Sequence, residues 1–168
     1  MKKKNIKLKI ISEQFDVSDE LFATLTGADM FLDKEAEDVP DLSEKRSDTI
    51  EMVTDATVTD DGERIEISYD ETELTGMGGA TTSVSFKKGE PGLVTMLRGG
   101  TVRTALVFEE GRRNICTYET PYMPFELCIY TKKVENGLDF GHGKLYLDYI
   151  VEIRGAKAER TKFTFEII

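Results

Sequence analysis

The sequence predicts an all-β protein, an antiparallel barrel or sandwich, on three observations. From about Thr49 to the last residue, apolar and polar residues alternate. The alternating runs are short, and turns bearing Gly or Asp separate them. There are about ten of them in 168 residues, close to the number at which an open sheet must curl or split. The clearest run is Lys144 to Arg154, where Leu145, Leu147, Tyr149, Val151 and Ile153 share one parity, and Lys144, Asp148, Glu152 and Arg154 the other. Successive side chains on a strand point to opposite faces, so this run has one dry side and one wet side.

The first strand is expected over Asn5 to Gln14, with Ile6, Leu8 and Ile10 inward. Lys2, Lys3 and Lys4 precede it in the manner of an export signal, but Lys7 and Lys9 interrupt the apolar core such a signal needs. Exposed lysines on a first strand also discourage edge-to-edge pairing. Residues 16–48 form an irregular acidic segment with a lid-like character. It holds eleven Asp or Glu against Lys34, Lys45 and Arg46, a balance of −8 out of −10 for the whole chain. Within it, Ser18 to Leu25 carries a serine N-cap, acidic first-turn residues and an apolar follow-on, and Gly27 marks a stop. That pattern predicts one short helix. After Asp33 the chain reads as a solvated loop, and Pro40 prohibits a central strand. A connection this long is either a functional lid or partner surface, or an excursion into solvent.

Strand two is expected near Thr49 to Thr59, and Asp60-Asp61-Gly62 turns it into a third at Glu63 to Glu71. In that third strand Ile65, Ile67, Tyr69 and Glu71 share the inward parity. Gly76-Met77-Gly78-Gly79 connects to Ala80 to Lys88, with Val84 and Phe86 inward. It is no phosphate-cradling loop, since it lacks the Lys-Ser/Thr pair and precedes a strand instead of a helix. Strands at Leu93 to Arg98 and Thr101 to Glu110 follow, joined by Gly99-Gly100. Arg113 to Pro121 and Phe125 to Lys133 form another hairpin, and Asn136-Gly137 leads into Leu138 to Arg154 and Ala158 to Ile168.

A chain of this size buries roughly 70% of its unfolded surface as one domain over residues 1–168, without a metal or disulfide staple. A net charge of −10 and a pI near 4.7 argue against nucleic acid as a partner, because phosphate contacts need clustered Lys and Arg. No apolar run approaches the ~18 residues of a membrane span. The expected address is the cytoplasm. A two-residue turn at Tyr122-Met123 would set Cys116 opposite Ile129, facing inward, and leave Cys128 outward. The thiols would then stay free.

Several short motifs bear on the fold family. They are Tyr69-Asp70-Glu71, Gly76-Met77-Gly78-Gly79-Ala80-Thr81-Thr82, Met96-Leu97-Arg98-Gly99-Gly100, Tyr118-Glu119-Thr120-Pro121-Tyr122, Thr131, and Leu145-Tyr146-Leu147-Asp148-Tyr149. In this order, over roughly the last hundred residues, the chain resembles the YwiB-like family of uncharacterised bacterial proteins. The chain departs from the family's pattern at Met123, where the family has glycine, and in the long acidic segment before Thr49. The resemblance implies a calycin-type, lipocalin-like barrel and no established activity. The interior of such a barrel either fills with side chains or holds one small ligand.

Arg98 is the most informative residue for function. It shares parity with Val94 and Met96, so its guanidinium points into the barrel if they do. An inward guanidinium needs partners or an anion. Glu71 is the natural counter-ion, and Tyr69, Tyr118, Tyr122, Tyr149, Thr120 and Thr131 are candidate hydroxyls around it. The expected site is a polar spot in a pocket for a small, partly apolar or anionic ligand. Its rival is an internally satisfied network inside a fully packed barrel that works as a homodimer or partner module. Outward apolar residues such as Tyr146 and Ile150 favour that rival. Catalysis is the least supported reading. His142 is the only histidine and has no second ligand or base at a useful spacing. No cofactor or metal is implied, and the acidic segment lacks the order of a calcium loop.

Overall fold

Ten antiparallel strands close on themselves in the computed structural model, which describes residues 1–17, 45–153 and 156–168. They are β1 (Lys2–Val17), β2 (Lys45–Asp60), β3 (Arg64–Asp70), β4 (Thr81–Lys87), β5 (Glu90–Gly99), β6 (Arg103–Glu109), β7 (Arg113–Glu119), β8 (Pro124–Asn136), β9 (Gly143–Ile153) and β10 (Ala156–Ile167). Each strand pairs with its neighbours in sequence, and β10 returns to pair with β1. The last pairing removes both sheet edges. The expected helix at Ser18 to Leu25 and the loop around Pro40 lie outside the described residues. Among the described residues the one helical turn is a 3-10 turn, Glu73–Thr75.

Period-two alternation sets which faces are buried. In β3, Ile65, Ile67 and Tyr69 are buried, and in β9 so are Leu145, Leu147 and Tyr149. Charged residues such as Lys7, Lys9, Glu51 and Asp55 pair on the outside. With apolar side chains inside and charged ones outside, this is the reverse of a membrane-spanning barrel. Among the described residues, no helix is long and apolar enough to cross a membrane.

The two ends of the barrel differ. At the end holding the β2–β3 and β8–β9 connections, Leu8, Val58, Ile65, Phe108, Leu145 and Phe165 fill the interior. The turn at Asp60 fixes this end. Its carboxylate accepts the Gly62 N–H at 2.8 Å and the Lys88 ammonium at 2.8 Å. At the other end the interior remains open.

β7 is the least integrated strand. None of its residues is buried, and it pairs with β6 only at Arg103–Glu119 and Thr104–Tyr118. Further along, the Asn114 side-chain amide donates to the Val107 carbonyl at 3.3 Å. The β7–β8 hairpin corrects one expectation. Glu119 pairs with Pro124, so Cys116 lies opposite Leu127 and not Ile129. The cause is Thr120, whose hydroxyl donates to the Met123 carbonyl at 3.0 Å and accepts the Tyr122 and Met123 N–H groups. That cap holds a four-residue loop where a two-residue one was expected. The shift is by two residues and preserves facing. Cys116 packs against the core, and both cysteines are free thiols. Burial pushes the Cys116 thiol up from its ordinary value.

Ile150 supplies a second correction. Although it is on the outward parity of β9, it is only 1% exposed. It sits in the ladder between Tyr130 and Arg160, and Arg160 grips Asp148 with two hydrogen bonds of 2.9 and 2.7 Å. Of the two outward apolar residues that favour an assembly surface, Ile150 is therefore covered, and Tyr146 is half-buried.

Candidate ligand cavity

The open end of the barrel holds a cavity of about 510 Å3. That is within the range of small-molecule sites, roughly 300–1,000 Å3. Its walls are mainly apolar, with Ile10, Met52, Leu106, Leu127, Ile129 and Phe163 among them. Tyr69, Tyr149 and Phe163 line the cavity and rest on the packed end. The Tyr69 and Phe163 rings meet Phe165 at 5.8 and 4.5 Å between centroids, and Tyr149 meets Phe108 at 4.8 Å. Edge and tilted ring contacts of this kind add to plain burial.

One polar row crosses the wall. Tyr69, Thr82, Arg98, Thr104 and Tyr118 are successive register partners from β3 to β7. Their facing follows from β5, where Val94 and Met96 are fully buried and Leu97 is 45% exposed. The Arg98 side chain is only 13% exposed and lines the cavity. Its Nε lies 4.0 Å from Glu71 Oε1, beyond hydrogen-bond range, and has no hydrogen-bond partner.

Glu71, in contrast, is engaged on both oxygens. Thr82 donates its hydroxyl to Oε1 at 2.5 Å. Thr75 donates to Oε2 at 2.9 Å, sharing that hydroxyl with the Thr72 carbonyl. The 3-10 turn brings Thr75 there, and it ends on Gly76 in the left-handed region, φ +73°. The Glu71 N–H donates to the Ala80 carbonyl at 2.8 Å and ties down the base of this loop. Gly100, at φ +109°, passes so close to the Gly79 carbonyl that no side chain fits between them. These contacts fix the carboxylate, and the guanidinium's terminal nitrogens carry no hydrogen bond to any described residue.

Burial raises both Tyr69 and Tyr149 above the ordinary phenol range, Glu71 adding to the effect at Tyr69. Both phenols therefore keep their protons. The Arg98 charge works against the shift in each.

Of the residues expected at the site, Arg98, Glu71, Tyr69, Tyr118, Tyr149, Thr120 and Tyr122 all border the cavity. They do so in different ways. Tyr122 is 95% exposed at the rim, and the Thr120 hydroxyl serves the hairpin cap. Tyr118 reaches the Met77 sulfur at 3.9 Å. Thr131 stands apart from the lining, fully buried opposite Tyr149 with its hydroxyl unpartnered.

Polar residues of the site that were not among the candidates include Ser12, Gln14, Thr75, Thr82, Glu159 and Thr161. Thr82 shares the parity of Val84 and Phe86, and Thr161 that of Phe163, so alternation turns both inward without marking them as site residues. Thr75 sits on a turn whose geometry alternation does not encode. His142 is exposed in a tight turn bridged to Asp139. Among the described residues, no group of three His, Cys, Asp or Glu side chains is placed to hold a metal ion.

A family model described as a domain of unknown function (DUF1934) matches residues 39–165. Its span begins upstream of Tyr69, where the short motifs start, and takes in β2. Among solved structures, the chain is similar to the crystal structure of the ywiB protein from Bacillus subtilis. The two share 18% identity over 98% of this chain and 93% of that one, with a TM-score of 0.65. At that identity the likeness concerns the fold alone. No curated protein matches the chain.

Proposed function

For a chain that belongs to the YwiB-like DUF1934 family, a family of unknown function, we propose a non-catalytic role: a single-domain, calycin-like barrel that binds one small, partly apolar ligand. The observation that carries this reading is the Arg98 guanidinium, turned into a chamber of about 510 Å3, its Nε buried without a hydrogen-bond partner and its terminal nitrogens without one among the described residues. A closed structural network would consume those donors, since buried polar groups are almost always paired. Here Glu71 stands at 4.0 Å and is itself held by Thr75 and Thr82. A ligand acceptor completes the set, and apolar walls take the rest of the molecule. Tyr69, Tyr149 and Thr161 supply further hydroxyls. Two free thiols suit a reducing compartment, so we place the protein in the cytoplasm. The rival reading, a filled barrel acting through its outer surface, is less well supported, because the interior is open and Ile150 is covered.

Native mass spectrometry of protein purified from its own host tests the reading, since it reports bound mass and stoichiometry together. The expected result is one adduct per barrel that Arg98→Met abolishes, with unfolding free energy changed by less than about 1 kcal/mol. Parallel loss of adduct and stability would make Arg98 a scaffold residue.

A further inference from the structure

The charges around the cavity bear on which head group it takes. Among the described residues, three charged side chains line it, Arg98, Glu71 and Glu159, a formal balance of −1. The guanidinium already has its counter-ion in Glu71, 4.0 Å away. Thr75 and Thr82 hold that carboxylate in place, so it cannot swing aside for a second anion. A ligand carboxylate would enter a mostly apolar chamber and give up its hydration there. In return it would meet a positive charge that is already answered, with a fixed carboxylate just beyond. A buried ion that gains no net counter-charge is poorly compensated.

An uncharged carbonyl loses far less on leaving water. Its oxygen has two lone pairs, and the Arg98 terminal N–H groups meet no acceptor among the described residues. Tyr69, Tyr149 and Thr161 add hydroxyls to the lining, and these suit a neutral acceptor equally well. Resting on the ligand-binding reading above, we infer that the cavity takes an apolar molecule bearing an uncharged carbonyl, as in a primary amide, ester or ketone, in preference to a carboxylate or phosphate. Glu71 is then the residue that determines specificity. It tempers the guanidinium from a point charge into a hydrogen-bond donor.

The test uses three probes with one tail, octanamide, octanoate and octyl phosphate, titrated calorimetrically into the full chain at pH 8. A solvatochromic apolar dye serves as an independent reporter of the chamber. The expected order is octanamide first, octanoate weaker by about tenfold and octyl phosphate last. In Glu71→Gln, which removes the charge but leaves an acceptor for the threonines, the gap between octanoate and octanamide should close. If this variant does not fold, the order in the unsubstituted protein decides. Octanoate binding as tightly as octanamide, with the dye also bound, overturns the inference and leaves the binding reading intact. Failure of the dye and all three probes to bind overturns both.

Discussion

The barrel carries an ion pair at each end, and the two are built for different purposes. At the packed end Lys88 meets Asp60 at 2.8 Å, and the Gly62 N–H completes the carboxylate's shell. The pair closes a turn. At the open end Arg98 stands 4.0 Å from Glu71, and threonines take the carboxylate. Here the anion is satisfied, while the cation has a counter-charge but no hydrogen-bond partner among the described residues. Similar residue types thus give a fastener at one end and an open donor at the other, and the difference lies in where the hydroxyls fall. Beneath the first pair the interior is filled with Phe108, Leu145 and Phe165, each 0% exposed. Beneath the second there is space.

Substitutions should report this contrast in order of size. Phe108→Ala, at the packed end, should cost about 3–5 kcal/mol in urea unfolding, since nothing nearby collapses into the gap. Met52→Ala, on the cavity wall, should cost less than about 2 kcal/mol, because that side chain already borders space. Equal losses would mean that the chamber is filled in solution. Gly100→Ala should cost about 1–3 kcal/mol in calorimetric melting. It forces a side chain into φ +109° against the Gly79 carbonyl, and it should disturb the site through the neighbouring Arg98 as well.

The smallest effect concerns acid. The Lys88 hydrogen bond, then the Gly62 N–H, hold the Asp60 carboxyl below its ordinary value of 3.8. Its folded value is thus lower than its unfolded one. The stability it contributes is complete above the unfolded value and is lost as pH falls through the folded one. Asp60→Asn should therefore lower stability at pH 7 and make the decline between pH 5 and 2 shallower (about the span over which such carboxyls titrate). An unchanged slope would remove Asp60 from the acid response.

How far the sequence carried the structure varies by element. Alternation was enough to set facing in β3, β5, β9 and β10, and with it the inward turn of Arg98 and Glu71. That succeeds because one face of each strand is dry, so a slip by one residue would expose the core. It reached less far at the ends of β1 and β2, which run several residues beyond their expected limits. Turns were the harder part. A hydroxyl cap from Thr120 set the length of the β7–β8 loop, and no rule of alternation anticipates it. Ile150 was misread because parity assigns a face but not what lies over it. At the site, the engagement of Glu71 by Thr75 and Thr82 depends on a 3-10 turn meeting β4, which only the folded chain displays.

A ring of strands is as strong as its weakest seam. With no buried residue of its own, and two ladder pairs and one side-chain bond holding it to β6, β7 is the stave expected to give first when the cask is strained. Tyr118, on the chamber side of that stave, would move with it. Were a ligand to enter, this seam and not only the mouth would set its path.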